Sequence, residues 1–259
     1  MMFKDKVVII SGIGPGMGVE LARIAAKEGA KVAISSRTEP FLEETAKAIS
    51  NAGGEVIWRR VDISKNEDCK AFAKMVIDKW GRIDALVNNG ASIGAFSPFE
   101  EADFENWRAT ANINLFGSLQ MAQACVPQMK KQGKGYIVNV SSMAHKKPLP
   151  AQGGYSTSKA ALEGASKFMA LELGKYGIRV NCARMGWMFG PPVTDFFQAQ
   201  AKAAGVDIKV ALQPIAQNIA LGELQDDADC AKAVLIMCTD WVSAVSGAVL
   251  DINGGEFMP

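Results

Sequence analysis

The chain has 259 residues, 49% of them apolar, and 28 Lys and Arg against 27 Asp and Glu give a formal net charge of +1. That length and apolar content support a full core and exclude a disordered chain, while the balanced charge offers no basic face for nucleic acid or an anionic membrane. No run of about 18 apolar residues exists to span a bilayer, and five cysteines without a C-x-x-C pair, beside a single histidine, His145, argue for buried free thiols in a reducing cytoplasm rather than a zinc site.

The first candidate strand is KVVIIS (6–11), too short and too soon broken by Gly12, Gly14, Pro15 and Glu20 for a secretion leader. It runs into GIGPGMG (12–18). This loop misses the G-x-G-x-x-G spacing, because Met17 or Val19 stands where the last glycine would fall. Gly12-x-x-x-Gly16-x-Gly18 can still make a wider turn that brings backbone N–H groups and a helix N-terminus to a phosphate. A helical pattern follows at Val19, Ala22, Ile24 and Ala25. Strand-like runs then recur at KVAISS (31–36), EVIWRRV (55–61), DALVNN (84–89), GYIVNVSS (135–142), IRVNCA (178–183) and AVLDI (248–252), with helical patterns between them. Strands alternating with helices predict right-handed crossovers and a doubly wound α/β fold, a seven-stranded, mostly parallel sheet with helices on both faces. The unbroken alternation predicts one domain over 1–259. The Gly- and Pro-rich stretch RMGWMFGPPVTDF (184–196) reads as irregular and opens a lid at about 184–222, with one or two short helices after residue 196.

The serine-led loop Ser11-Gly12-x-x-x-Gly16-x-Gly18, with VDI (61–63), LVNNGA (86–91), NINLFG (112–117), IVNVSS (137–142), YSTSK (155–159), IRVNCA (178–183) and DINGG (251–255) in that order, resembles the short-chain dehydrogenase/reductase family over nearly the whole chain. The resemblance implies a Rossmann-type fold and an oxidoreductase that interconverts a ketone and a secondary alcohol with a nicotinamide cofactor. It also implies a homotetramer or homodimer.

YSTSK puts Tyr155 and Lys159 on one helix face, one turn apart. A phenol can give a proton to a developing alkoxide or take one from an alcohol, once its pKa of about 10 is drawn toward the working pH. Lys159 is expected to draw it down and to bond the cofactor ribose. The family's serine precedes its tyrosine by the spacing that selects Ser142, at a strand end where α/β ligands bind. The N-x-x-G match selects Asn114, implying an intact tetrad Asn114–Ser142–Tyr155–Lys159. In enoyl reductases the lysine follows the tyrosine by seven positions, which here is Leu162.

For the cofactor, the resemblance implies contacts from Ser11, Gly12, Gly16, Met17, Gly18, Asp62, Ile63, Asn89, Gly90, Tyr155, Lys159, Gly186 and Met188. Ser36 stands where NAD-preferring members carry an acid, and Arg37 follows it, which favours the 2′-phosphate of NADP(H). After IRVNCA the chain departs from the family. Met185 replaces a proline, and Gly190 stands where a threonine is expected. Met143, Trp187 and Phe189, with Met188, Phe196 and Phe197, are expected around a bulky apolar substrate. His145 is expected in an exposed loop beside Lys146 and Lys147. The alternative to an enzyme is a catalytically silent dinucleotide-binding sensor or scaffold of the same fold.

Overall fold

The computed structural model describes residues 1–258. In chain order the elements are β1 (Val7–Ser11), α1 (Met17–Lys27), β2 (Lys31–Ser36), α2 (Glu39–Asn51), β3 (Val56–Arg60), α3 (Asn66–Trp80), β4 (Ala85–Asn88), α4 (Phe104–Ala111), α5 (Ser118–Gln132), β5 (Gly135–Ser142) and α6 (Gly153–Leu173). They continue with β6 (Ile178–Met185), β7 (Met188–Phe189), α7 (Pro191–Ala204), α8 (Ile208–Ala216), β8 (Gln225–Asp226), α9 (Asp227–Ile236) and β9 (Val249–Ile252). A π-helical turn, Asn112–Gly117, joins α4 to α5.

Seven strands form one sheet in the order β3-β2-β1-β4-β5-β6-β9, and every pairing in it is parallel. This is the predicted doubly wound sheet, and parallel throughout. Each residue of β1 and β4 is buried, as expected where helices cover both faces, and so VVII and ALV read as continuous apolar runs. On one face Leu21, Ala22, Leu42, Val234 and Leu235 pack from α1, α2 and α9. On the other, Phe72, Val76, Met121 and Met129 pack from α3 and α5. The chain winds from β1 outward through β2 and β3, then returns to place β4 on the other side of β1. The order therefore reverses between β1 and β4, where α/β sheets open a crevice at their C-terminal ends.

Two boundaries differ from the sequence reading. Residues 184 and 185 belong to β6, which runs two residues past IRVNCA and pairs with Asp251 and Ile252 of β9. The expected lid therefore starts only after Met185. The stretch 184–196 is also not irregular throughout, since α7 begins at Pro191. Pro191 and Pro192 sit at its first two positions, where a missing N–H costs nothing and φ is already helical. α7 and α8 follow as the expected short helices, and they close over a small core of their own, Leu212, Ile219 and Leu224 with Trp187 and Phe197. No helix among the described residues is long and apolar enough to cross a membrane. All five cysteines are buried thiols.

Candidate active site

The glycine loop is built by close approach. Gly12 has φ 104°, and a Cβ there would collide with the backbone of Gly90 after β4. Gly18 faces the Gly12 carbonyl, 2.6 Å from where its Cβ would be. Gly16 caps α1 with φ 102° and lies against the Asp227 carboxylate. Gly14 meets nothing within 4 Å and is a spacer. Backbone bonds fix the loop, with the Gly12 and Ile13 N–H groups donating to the Ser35 carbonyl at 2.7 and 3.0 Å, and Asn89 and Gly90 donating to the Ser11 carbonyl, each at 2.8 Å. The Asn89 side chain adds a 2.7 Å bond to the Gly12 carbonyl. The N-N-G-A order therefore keeps a glycine at the point of tightest contact.

Beside the loop lies a cleft of about 430 Å³. It gathers Gly12, Met17, Gly18, Ser36, Arg37, Asp62, Ile63, Asn89, Gly90 and Met188 from the predicted set. Sequence reasoning missed its apolar walls, Ile13, Val61, Ile93 and Ile113, which carry no motif of their own. Ser11 lies beneath the loop, and its hydroxyl and that of Ser35 are buried without a hydrogen-bond partner. Gly186 lies outside the cleft's lining and packs on Asn253, which a Cβ would approach to 2.6 Å.

At the far end of the cleft the Ser36 hydroxyl accepts from the Thr38 N–H at 3.1 Å and shapes the turn after β2. Arg37 is exposed there, and Arg60 of β3 donates through Nε to the Arg37 carbonyl at 3.1 Å. A second arginine thus ties to the turn that carries Arg37, from a strand with no basic motif. Asp62 is held by the Ser64 hydroxyl at 2.7 Å, the main cause that keeps its carboxyl below its ordinary value.

The four expected catalytic residues sit on β5, α6 and the π-helical turn. Ser142 ends β5, and its hydroxyl accepts from the Ala144 N–H at 3.2 Å. Burial pushes the Tyr155 phenol above its ordinary pKa, and the hydrogen bond with Ser142 opposes that. Lys159 is 2% exposed. Its Nζ donates to the Val140 carbonyl at 2.7 Å and lies 5.8 Å from the centroid of the Tyr155 ring. Burial pulls the Lys159 pKa down to about 8. The expected lowering of the tyrosine by this lysine is therefore absent from the fold itself, because the ammonium is spent on β5 and burial dominates the phenol. Asn114 is fully buried. Its Oδ1 accepts from the Ser92 N–H at 2.7 Å, and its Nδ2 donates to the Ser92 carbonyl at 2.8 Å and to the Ser158 hydroxyl at 2.9 Å. Its main-chain carbonyl, in the π-helical turn, accepts the Ser118 hydroxyl at 3.0 Å.

The expected substrate residues do not converge. Met143 is buried. Trp187 packs edge-on to Phe197, 6.3 Å between centroids, inside the lid's own core. Phe189 lines a separate groove behind the glycine loop, with Phe41, Gly190 and Asp227. Gly190 leaves the space the Asp227 carboxylate fills, so a threonine would require that carboxylate to move. Nor is His145 an exposed loop residue, for its side chain is 9% exposed and lies against Glu163.

Comparison with known proteins agrees with this geometry. The family model for short chain dehydrogenase matches residues 6–201. An uncharacterised oxidoreductase of Thermotoga maritima is 35% identical over 256 residues, 99% of each chain. The solved L-sorbose reductase of Gluconobacter frateurii, complexed with NADPH and L-sorbose, superposes with a TM-score of 0.94 at 28% identity over the whole of both chains. An NAD⁺-bound xylitol dehydrogenase superposes with a TM-score of 0.90 at 29% identity, covering 98% of this chain and all of that one.

Proposed function

The chain belongs to the short-chain dehydrogenase family, oxidoreductases of the CH–OH/C=O pair that use a nicotinamide cofactor, and on that premise we propose that it interconverts a bulky apolar ketone and its secondary alcohol with NADP(H) in the cytoplasm. The observation that carries the catalytic reading is the buried Lys159 on the helix face of Tyr155, its Nζ 5.8 Å from the Tyr155 ring centroid, with the Ser142 hydroxyl close enough to favour the phenolate.

The residues present fit a dinucleotide. Gly12 lets the loop close onto the Gly90 backbone beside the cleft, the buried Ser11 and Ser35 hydroxyls lack a partner, and α1 begins at the loop's end, where its first N–H groups are free for a phosphate. When bound, the cofactor supplies or accepts the hydride. Ser11, the loop glycines and Met17 would hold the pyrophosphate, Asp62 and Ile63 the adenine, and Asn89, Gly90, Gly186 and Met188 the remainder.

The chain's own residues handle the proton and the orientation. A phenol with a raised pKa is neutral at pH 7, so Tyr155 stands ready to donate to the carbonyl oxygen in the reductive direction. Ser142 bonds the same oxygen and fixes it on the phenol. Lys159, with a pKa near 8, carries or releases a proton close to working pH, and so suits the return of a proton to Tyr155. Asn114 ties the π-helical turn to α6 at Ser158 and so braces Lys159.

NADP(H) over NAD(H) is supported by β2 ending on Ser36 instead of a carboxylate, with the exposed Arg37 next to it and Arg60 bonded to the Arg37 carbonyl; guanidiniums suit a phosphate monoester. The apolar substrate is supported by exposed Ile93, Phe96, Leu149 and Phe196, which come from the segments after β4, β5 and β6. Assembly of two or four copies is supported by exposed Phe168 and Leu171 on α6 and Trp241 near β9, at 69%, 78% and 81% exposure.

A panel of ketones and alcohols with each nicotinamide cofactor, followed by nicotinamide absorbance, tests the reading. Faster turnover of bulky apolar carbonyls with NADPH is expected. Better turnover of small polar ketones would refute the substrate class, and cofactor binding with no turnover across the panel would favour a sensor.

A further inference from the structure

Two features have no part in the mechanism above, the single histidine and the arginine one residue before the end of β6. The fold joins them. Arg184 holds Glu163 with two parallel bonds, Nε to Oε1 and Nη2 to Oε2, each 2.9 Å. Its Nη1 donates to both oxygens of Asp251 at 2.9 and 3.1 Å, and its guanidinium lies 5.8 Å from the centre of the Phe257 ring. The same Glu163 Oε2 lies 3.2 Å from His145 Nε2. On the other side of the ring, His145 Nδ1 lies 2.8 Å from the Ser142 carbonyl oxygen. The His145, Glu163 and Arg184 side chains are 9%, 9% and 7% exposed.

Tyr155, Lys159 and Glu163 follow at four-residue spacing on α6, so one helix face carries all three. The acid on that face is where the relay from Arg184 and Asp251 meets the turn after β5. Burial alone would raise the Glu163 carboxyl, but the Arg184 bonds and His145 hold it below its ordinary value. A carbonyl accepts only, so with its proton on Nδ1 the imidazole donates to Ser142 while its Nε2 edge packs on Glu163, which fixes the ring plane. The turn it closes is the one that aims Ser142. The Ser142 hydroxyl takes the Ala144 N–H, and the Ser142 carbonyl takes the His145 ring.

We propose that His145 is a positioning residue for Ser142, its imidazole anchored through Glu163 and Arg184 to Asp251 and holding the Ser142 backbone so that the hydroxyl stays aimed at the substrate oxygen. The proposal rests on the reading of Ser142 as a catalytic residue. His145 itself touches no reacting atom. Its effect is on kcat, through the angle of the serine, and not on dinucleotide binding, since His145 lines no part of the cleft beside the glycine loop.

The test uses isosteres. An asparagine places its amide nitrogen close to the position of Nδ1 and keeps the donor to Ser142, whereas a glutamine reaches the position of Nε2 and keeps only the Glu163 contact. His145→Ala and His145→Gln are expected to lower kcat about tenfold, the worth of one aligned hydrogen bond, with the KM for NADPH unchanged. His145→Asn is expected to stay within about threefold of wild type. The chain has one histidine, so histidine-selective ¹⁵N labelling reads this ring alone. Its Nδ1 proton should exchange slowly with solvent, in the wild type and in Tyr155→Phe alike. Thermal unfolding of each variant separates misfolding from misalignment. Full kcat in His145→Ala, beside an inactive Ser142→Ala, overturns the proposal, as does a His145→Asn no better than alanine at equal thermal stability. Full turnover in Ser142→Ala would instead overturn the reading of Ser142 beneath it.

Discussion

Gly190 is a glycine for reasons of space alone. Its backbone is extended, φ −138° and ψ 169°, a conformation open to any residue. A Cβ there would collide with the Asp227 carboxylate, whose Oδ2 would also lie 2.8 Å from a Cβ on Gly16. Asp227 is thus wedged between two glycines, Gly16 of the glycine loop and Gly190 after β7. Gly190→Ala forces that wedge aside, and overpacking of this kind costs about 1–3 kcal/mol. At roughly 2–4 °C per kcal/mol for a chain of this size, Tm should fall by about 2–12 °C. Removing the carboxylate should cost little by itself. Burial first, then Glu20 and Asp226, hold the Asp227 carboxyl above its ordinary value, so folding works against its charged form relative to the unfolded chain. The double variant Gly190→Ala/Asp227→Ala should therefore regain most of the loss, with a coupling of about 1–3 kcal/mol between the two sites. Thermal or urea unfolding of the four proteins measures it. An unchanged Tm in Gly190→Ala, or strictly additive effects, would refute the steric argument.

Three more outcomes follow from the site. Arg37→Ala and Arg60→Ala should each raise the Kd for NADPH about tenfold while moving that for NADH less than twofold, by fluorescence titration, since only NADPH carries the 2′-phosphate such charge-assisted bonds would grip. Lys159 has a folded pKa near 8 against about 10.4 in an unfolded chain. Between these values the unfolded state binds more protons, so wild-type stability should gain from this residue as pH rises from about 8 to 10, and Lys159→Met should lack that gain in urea unfolding across the range. Arg184→Ala leaves Glu163 buried without its main partner and should cost about 3–5 kcal/mol. The Glu163 pKa is lowered in the fold, so its contribution is present above the unfolded value of about 4.3 and is lost as pH falls through the folded one. The variant's acid unfolding should lack that component.

The sheet was legible because parallel strands covered on both faces must be apolar throughout, and VVII, ALV and IVNV are short, continuous and separated by helical patterns. Two boundaries were not. Arg184 looks like the end of a strand because a charge inside a sheet is costly, and only its partners Glu163 and Asp251, distant in sequence, make it acceptable. Pro191 and Pro192 look like helix breakers and prove to be a helix start. In the site, the glycine spacing and the Tyr155–Lys159 pair were readable, since each is a local pattern. The direction in which Lys159 points was not, because it is set by the Val140 carbonyl across the β5–α6 contact. His145 was misread for its lysine neighbours, although Glu163, on the helix face of Tyr155 and Lys159, was an available signal for a buried partner. Arg60 and Asp227 belong to no motif, and only the folded chain brings them to the loop.

The central claim is that Tyr155 handles the proton at the carbonyl oxygen, and Tyr155→Phe tests it most directly because the ring stays and only the hydroxyl goes. The account predicts that turnover with NADPH falls by about 10²–10⁴-fold while the Kd for NADPH, by fluorescence titration, stays within about twofold. Turnover that survives the substitution would contradict it.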